Sequence, residues 1–265
     1  MALTYPMIDP VALELGPVVI RWYGLAYVAG ILFAWGYCKA LIRKYQIAMQ
    51  AKDFDDFVPW MTLGVVAGGR LGQVLFYDTA YYLANPFEII AIWHPGMSFH
   101  GGILGVVTAT VIFCRKRGIP ILHMLDLLAC AAPIGLFLGR IANFINAELV
   151  GRVSDVPWAM VFPGAGPFPR HPSQLYEAVL EGLLLFILTN MAMRRATWRH
   201  IPGRVMGLFI AGYGIARIIG EVFREPDHHI GFLMGGTTWG QWLSVPMVIL
   251  GLYFIFRSHK TDVTR

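Results

Sequence analysis

The sequence predicts an all-α polytopic membrane protein with about seven transmembrane helices. Hydrophobic side chains make up 57% of the 265 residues and charged side chains only 14%, whereas soluble domains carry about 45–50% and about 25%. Apolar stretches of about 20 residues, the length needed to cross a hydrocarbon core of roughly 30 Å, recur along the whole chain. No repeat or linker stands out, so we expect a single integral membrane domain over residues 1–265.

Seven windows are long and apolar enough to be predicted as spans: residues 18–38, 57–77, 97–114, 121–139, 172–193, 204–223 and 239–256. The segment before the first window contains Asp9, Glu14 and three prolines but no Lys or Arg. It therefore lacks the basic region that opens a signal peptide, and we expect no cleavage.

Small residues predict close packing between some of these spans. Glycines spaced four residues apart let helix backbones approach one another. The second, third and fourth windows contain such glycines: Gly64, Gly68 and Gly72, Gly101 and Gly105, and Gly135 and Gly139.

The basic residues of the connections predict that the N-terminus is outside and the C-terminus cytoplasmic, because cytoplasmic loops carry an excess of Lys and Arg. Fourteen of the 21 basic residues share the predicted cytoplasmic side: Lys39, Arg43, Lys44, Lys52, Arg115, Lys116, Arg117, Arg194, Arg195, Arg199, Arg204, Arg257, Lys260 and Arg265. The other seven are all arginines: Arg21, Arg70, Arg140, Arg152, Arg170, Arg217 and Arg224. Arginine is the side chain that binds phosphate or carboxylate bidentately, so its exclusive use outside suggests an anionic ligand.

Polar side chains from six predicted spans lie near the outer level of the membrane. A charge at the bilayer centre costs about 2.5–3.5 kcal/mol, so such groups face a protein interior or a wet cavity. We therefore predict a functional cavity with six arginines to four glutamates, suited to an anion with an apolar body such as a phospholipid. Its residues are Arg21, Tyr23, Arg70, His100, Arg140, Asn143, Asn146, Glu148, Gly151, Arg152, Glu177, Glu181, Tyr213, Arg217, Glu221 and Arg224.

The absence of several catalytic motifs limits the chemistry that the protein can perform. The sequence contains no H-E-x-x-H, P-loop or G-x-S-x-G motif, so we expect neither a metal nor another cofactor.

Asp126, near the cytoplasmic end of the fourth window, is expected to cap a helix or to form an ion pair. The connection at about 140–171 is rich in Gly and Pro and is predicted to form a small external head.

Four longer motifs carry a family resemblance. They are His100-Gly-Gly-Ile-Leu-Gly105, Gly139-Arg-Ile-Ala-Asn-Phe-Ile-Asn-Ala-Glu148 running to Gly151-Arg152, His171-Pro-Ser-Gln-Leu-Tyr-Glu177, and Arg217-Ile-Ile-Gly-Glu-Val-Phe-Arg224. Together, and in this order, they resemble the bacterial prolipoprotein diacylglyceryl transferases over nearly the whole chain, from Trp22-Tyr23-Gly24 onward. Ala147 departs from the pattern, because the family usually has Gly before this glutamate.

The resemblance implies transfer of the sn-1,2-diacylglyceryl group of phosphatidylglycerol to the lipobox cysteine thiol of a preprolipoprotein. The products are a thioether and glycerol 1-phosphate. The implied partners are phosphatidylglycerol, preprolipoprotein signal peptides and membrane lipids, with no nucleic acid. The implied location is the bacterial cytoplasmic (inner) membrane, with the active site toward the outer leaflet.

The resemblance also implies the site residues. Arg140 and Arg217 match the family's critical arginines and are assigned to the lipid phosphate. His100 is the candidate catalytic base, since an imidazole titrates near neutral pH, and Glu148 or Glu221 is the alternative. The remaining residues that would bind substrate are Tyr23, Asn143, Asn146, Glu148, Gly151, Glu221 and Arg224.

Two other functions remain open at this point. A transporter or flippase for an anionic amphiphile would also need a basic cavity, although no inverted repeat of the kind common in transporters is visible. A structural membrane scaffold would not explain the outward arginines. A covalently modified peptide would distinguish the transferase from both.

Overall fold

The computed structural model describes residues 3–16, 18–94, 96–226 and 231–257. Lys260 and Arg265, two of the basic residues predicted to be cytoplasmic, lie outside this part. Most of the described chain is helical: α1 (Trp22–Tyr45), α2 (Ala51–Phe76), α3 (Thr79–Ala84), a 3₁₀ turn (Pro86–Ile90), α4 (Phe99–Arg117), α5 (Ile121–Ile145), α6 (Ser173–Glu177), a π-helical segment (Ala178–Leu184), α7 (Leu185–Arg194), α8 (Ala196–Arg199), α9 (Arg204–Phe223), a second 3₁₀ turn (Met234–Gly236) and α10 (Trp239–Phe256). The chain forms two compact units, residues 1–34 with 126–265 and residues 35–125.

Five helices are long and apolar enough to cross a membrane: Trp22–Tyr45, Ile121–Ile145, Ser173–Arg194, Arg204–Phe223 and Trp239–Phe256. They coincide with five of the seven predicted windows, which confirms a mostly helical protein with several candidate spans. The first window was predicted to begin too early. Residues 18–21 form a strand, and the helix begins only at Trp22.

The other two predicted windows also fall on helices, α2 and α4, which are long enough to cross a membrane but are not apolar enough to count as candidate spans. Helix α2 carries charged residues from Lys52 to Arg70, and α4 ends in Arg115, Lys116 and Arg117. The count of seven spans therefore stays a prediction.

Helices α2 and α4 pack closely through their glycines, within the unit of residues 35–125. A Cβ atom built on Gly64 would lie 2.7 Å from the carbonyl oxygen of Gly105, and one on Gly72 would lie 2.7 Å from the Cα of Gly101. Because no side chain fits at these positions, the predicted role of the glycine spacing is confirmed here. The predicted close packing is wrong for Gly139, because a Cβ added there would have no atom of the described residues within 4 Å.

Four short strands depart from the predicted all-α fold. Strands β2 (Val11–Leu15) and β3 (Val18–Arg21) form an antiparallel hairpin that leads directly into α1. Strand β1 (Leu3–Thr4) pairs in parallel with β4 (Met160–Val161). An apolar run beside a span is indistinguishable from the span by hydropathy alone, which is why the hairpin was not predicted.

The first residues of the segment predicted as an external head, 140–145, belong to α5, which continues to Ile145. Beyond it the chain is held by single backbone bridges, in which Arg170 pairs with both Val153 and Met160. Tyr5 fastens this segment to the end of α5, since its hydroxyl donates to the carbonyls of Phe144 and Ile145 at 2.7 and 2.8 Å.

At the other end of the same unit, Asp126 caps helix α9. Its Oδ2 accepts from the backbone N–H of Gly203 and its Oδ1 from that of Met206, both at 2.7 Å. These bonds satisfy two of the free N–H groups that every helix N-terminus presents. The expectation that Asp126 caps or pairs is confirmed.

Candidate active site

Two buried glutamates organise the arginines of α5 and α9. Glu177 and Glu181 have fully buried side chains. Glu177 lies 2.9 Å from a guanidinium nitrogen of Arg140 through one carboxylate oxygen and 2.6 Å from Arg217 through the other. Glu181 accepts from Nε and Nη2 of Arg140 at 3.0 and 2.9 Å. A single pair of carboxylates thus fixes both of the arginines that the family resemblance assigns to the lipid phosphate.

Glu221 and Arg224 complete the network from the end of α9. Nη2 of Arg217 lies 2.5 Å from the carboxylate of Glu221, four residues further along the helix. Nη1 of Arg224 lies 3.7 Å from Glu177. The six side chains, Arg140, Arg217, Arg224, Glu177, Glu181 and Glu221, are called the ion-pair network below.

The ion-pair network is formally neutral, with three arginines and three glutamates. The predicted ratio of six arginines to four glutamates covers a larger set, which also contains Arg21, Arg70, Arg152 and Glu148. Of these, Arg70 and Arg152 keep their charge and donate to backbone carbonyls. Arg152 donates to the carbonyls of Arg224 and Glu221 at 3.0 Å each, which caps the C-terminal end of α9.

Arg70 lies in the unit of residues 35–125 and is almost fully buried. It donates to five backbone carbonyls between residues 88 and 96, including those of Ala91 at 2.9 Å and Gly96 at 3.1 Å. Its guanidinium also lies over the ring of Tyr82. Arg70 thus orders the loop that precedes α4, a role that its position in the sequence did not reveal.

His100 is the second residue of α4, in the same unit as Arg70. Its side chain is exposed, and no hydrogen bond occupies its ring nitrogens within the part of the chain that the structure describes. Ser98 caps the helix by accepting from the N–H of Gly101, and the N–H of Ser98 donates to the carbonyl of Gly69 at 2.8 Å. The backbone that carries His100 is therefore fixed while its imidazole is accessible.

Local backbone geometry explains where the glutamates point. Glu177 ends α6, and Glu181 lies in the π-helical segment that follows. A π-helical turn is wider than an α-helical one and is frequent at functional sites. Gly220 leaves room for the Glu177 side chain, and Gly240 leaves room for that of Glu221. A Cβ on Gly240 would lie 2.6 Å from Oε1 of Glu221.

The predicted polar run after α5 forms a second cluster. Oε1 of Glu148 accepts from the amides of Asn143 and Asn146 at 2.7 and 3.4 Å. Its backbone carbonyl accepts from Gln174 at 2.6 Å. Ala147 has a φ of 53°, in the left-handed region that favours glycine. The family's usual Gly at this position is thus explained by the backbone, and the departure noted in the sequence costs strain.

Gly151 lies where two segments meet without room for a side chain. A Cβ there would be 2.5 Å from the carbonyl oxygen of His171 and 2.7 Å from that of Phe223. Its N–H donates to His171, and the next residue, Arg152, donates from its N–H to Phe223. Gly151 therefore attaches the loop to the end of α9.

Tyr23 and Arg21 lie at the N-terminal end of α1. The Tyr23 side chain is half-buried, with its ring centroid 5.5 Å from that of Tyr27. Arg21, the last residue of β3, is exposed. Within the described part of the chain, neither residue forms a hydrogen bond or ion pair with the ion-pair network.

An aromatic cluster beside the ion-pair network was not predicted from the sequence. The Tyr176 hydroxyl accepts from Trp158 at 2.6 Å and lies 3.1 Å from Nδ1 of His171. The rings of His171 and Tyr176 both pack against Phe223. Burial lowers the pKa of the His171 imidazole below its usual value, which favours the neutral ring.

The sequence reasoning also missed how Glu177 and Glu181 are used. It placed both in the predicted cavity, one turn apart, but gave neither a catalytic nor a substrate-binding role. Their i, i+4 spacing within and just after a motif of the resemblance was the available signal. The structure brings Arg140, Arg217, Glu221 and Arg224 of the predicted site into one network.

Comparison with known proteins gives a consistent result. A sequence model of the prolipoprotein diacylglyceryl transferases matches residues 10–257. The chain is 57% identical over 252 residues to the phosphatidylglycerol–prolipoprotein diacylglyceryl transferase of Paramagnetospirillum magneticum, covering 95% of this chain and 94% of the relative. It is 56% identical over 253 residues to that of Rhodospirillum rubrum, covering 95% and 92%. It is 54% identical over 263 residues to that of Azospirillum brasilense, covering 98% of each chain.

Proposed function

Because the chain belongs to the prolipoprotein diacylglyceryl transferase family, we propose that it moves the sn-1,2-diacylglyceryl group of phosphatidylglycerol to a lipobox cysteine of a preprolipoprotein. The relatives are named for phosphatidylglycerol and prolipoprotein, and they cover nearly the whole of this chain. This reaction is the first step of bacterial lipoprotein maturation.

The observation that carries the proposal is the pair of guanidinium groups on one carboxylate. Arg140 and Arg217 approach the two oxygens of Glu177 at 2.9 and 2.6 Å, so their positions are fixed relative to each other. Their side chains are 14% and 16% exposed, which leaves each a route to a ligand. Fixed cations at the leaving group stabilise the charge that develops when a phosphate departs.

The reaction breaks the C–O bond between the diacylglycerol carbon and the phosphate and forms a C–S bond to the cysteine. The bonding electrons leave with the phosphate oxygen, which gives glycerol 1-phosphate as an anion. We assign stabilisation of this anion to Arg140 and Arg217. Arg224 and Glu221 would position Arg217, while Tyr23, Asn143, Asn146, Glu148 and Gly151 would shape the surrounding cavity.

The thiol must lose its proton, because the thiolate is the nucleophile and a free thiol has a pKa of about 8.5. We assign this proton to His100, whose exposed ring has no hydrogen-bonded partner among the described residues. The alternatives are already engaged: Glu221 pairs with Arg217, and Glu148 accepts from Asn143.

We further propose that the protein lies in the bacterial cytoplasmic (inner) membrane with its active site toward the outer leaflet. The five candidate spans would be joined by α2 and α4 to give seven. The N-terminus would then be outside and the C-terminus cytoplasmic, as the distribution of lysine indicates.

The test is to incubate the purified protein with phosphatidylglycerol and a lipobox peptide and to measure the peptide mass. We expect an increase equal to one diacylglyceryl group, and none for a peptide whose cysteine is replaced by serine. An unmodified cysteine peptide, with lipid that has instead crossed the bilayer unchanged, would contradict the proposal and favour a transporter.

A further inference from the structure

The two arginines assigned to the lipid phosphate are already occupied by anions of the protein. Glu181 binds Nε and Nη2 of Arg140 at 3.0 and 2.9 Å, and Glu177 bridges Arg140 and Arg217. A carboxylate and a phosphate use the same forked donors of a guanidinium. A phosphate that binds both guanidinium groups bidentately must therefore share their N–H donors with these carboxylates or displace one carboxylate.

The charge of the ion-pair network makes this competition unavoidable. Three arginines balance three glutamates, and the carboxylates of Glu177 and Glu181 are fully buried. A buried anion without a partner is strongly destabilising. The carboxylates are also tethered to the site, so their effective concentration beside the arginines far exceeds that of a diffusing ligand.

The two glutamates are not equivalent. Glu177 contacts all three arginines, whereas the short contacts of Glu181 are confined to Arg140. Oε1 of Glu181 and Oε2 of Glu177 are both buried without a hydrogen bond in the described structure. They differ in their nearest guanidinium, which lies 3.9 Å from Oε1 of Glu181 but only 2.9 Å from Oε2 of Glu177. A movement of Glu181 away from Arg140 would therefore break short contacts with that arginine alone, whereas a movement of Glu177 would release all three arginines.

Substrate and product differ in charge in a way that makes such a competitor useful. The phosphodiester of the lipid carries one negative charge, whereas a phosphomonoester carries about −1.5 to −2 at pH 7. Two bare arginines would therefore hold the released glycerol 1-phosphate more tightly than the lipid. An anion belonging to the protein opposes this preference.

We propose that Glu181 is a built-in competitor of phosphate: it yields Arg140 to the lipid phosphodiester and takes it back when glycerol 1-phosphate has formed, which speeds product release. This role rests on the proposed function, since it assumes that the phosphate binds at Arg140 and Arg217. Glu181 does not touch the reacting atoms and acts through Arg140, so it is a positioning residue.

The experiment compares wild type with Glu181→Gln in two readouts. The first is the binding of glycerol 1-phosphate and of inorganic phosphate to the full-length protein, measured by calorimetry without lipid or peptide. The second is transfer to a lipobox peptide under single-turnover and multiple-turnover conditions. Glu225→Gln is the matched control, because Glu225 pairs with Arg170 at 3.0 Å outside the ion-pair network.

We expect Glu181→Gln to bind both anions about tenfold more tightly, the size of one charge-assisted hydrogen bond. Its inhibition constant for glycerol 1-phosphate should fall by a similar factor. Its multiple-turnover rate should fall while its single-turnover rate stays within about threefold of wild type. Glu225→Gln should match wild type in every readout.

A merely structural glutamate gives a different pattern. Unchanged or weaker anion binding by Glu181→Gln, or equal losses in the single-turnover and multiple-turnover rates, would overturn the proposal. If Glu181→Gln does not fold, Glu181→Asp takes its place, since it keeps the charge but shortens the reach to Arg140. This variant must bind both anions more tightly than wild type. Unchanged binding by that variant overturns the proposal as well.

The two readouts separate this proposal from the proposed function. A wild-type protein that leaves the peptide unmodified would contradict the transferase assignment but would not affect the calorimetric comparison. Tighter phosphate binding by Glu181→Gln would then still support competition at Arg140. A wild type that modifies the peptide, together with unchanged binding by the variant, would reject the competitor alone.

Discussion

Replacing Arg217 by Lys separates the geometry of the guanidinium from its charge. Arg217 uses two different nitrogens, Nη1 for Glu177 at 2.6 Å and Nη2 for Glu221 at 2.5 Å. The ammonium of Lys is a single nitrogen on a flexible stem and lacks the planar fork. It can replace one of these contacts but not both in the same geometry.

The expected loss of rate follows from the number of hydrogen bonds that each side chain can give to the phosphate. If the departing phosphate receives two hydrogen bonds from the guanidinium and one from the ammonium, the transition state loses one charge-assisted bond, about 1.5–3 kcal/mol. That loss corresponds to a rate about 10- to 150-fold lower. Arg140→Lys should be impaired to a similar degree, since Arg140 also divides its nitrogens between Glu177 and Glu181.

The assay is single-turnover transfer from phosphatidylglycerol to a lipobox peptide, followed by peptide mass. Arg204→Lys is the matched control, because Arg204 begins the same helix and its guanidinium donates to the backbone carbonyls of Ile255 and Thr197, outside the ion-pair network. We expect this control to retain the wild-type rate. Near wild-type transfer by both Arg217→Lys and Arg140→Lys would refute the bidentate assignment.

Three further results are expected. Ala147→Gly should raise the free energy of unfolding by about 1 kcal/mol, because it relieves a left-handed φ of 53°, and thermal unfolding in detergent measures this; an equal or lower melting temperature would argue against strain there. Gly151→Ala should lower both melting temperature and transfer, since its Cβ would lie 2.5 Å from the carbonyl oxygen of His171, whereas Gly139→Ala, with nothing within 4 Å, should behave as wild type. His100→Asn should retain lipid binding and lose transfer, with recovery at high pH where the peptide thiol ionises unaided; a loss that is independent of pH and accompanied by weak binding would move the base to Glu148 or Glu221.

Hydropathy predicted much of the fold because a membrane span is a property of local sequence. The five candidate spans coincide with predicted windows, and the glycines of α2 and α4 pack as their spacing indicated. The hairpin before Trp22 was not visible, because an apolar strand next to a span has the same hydropathy as the span. The π-helical segment at Ala178–Leu184 was hidden for a similar reason, since its side chains are apolar on either side of Glu181.

The candidate site was predicted less completely, because partners depend on tertiary contacts. The sequence identified Arg140 and Arg217 but could not show that their nitrogens are shared between Glu177, Glu181 and Glu221. Arg70 was assigned to the same cavity on depth alone. Its guanidinium donates to backbone carbonyls, and every residue has such a carbonyl, so the sequence does not identify these partners.

The central claim is that a cysteine sulfur replaces the phosphate oxygen on the diacylglycerol carbon. The most direct measurement uses phosphatidylglycerol labelled with ¹⁸O at the oxygen that joins this carbon to phosphorus. After incubation with the protein and a lipobox peptide, both products are weighed. We predict that the peptide gains an unlabelled diacylglyceryl group and that the ¹⁸O leaves with glycerol 1-phosphate. An unmodified peptide, or ¹⁸O retained on the peptide, would contradict the claim.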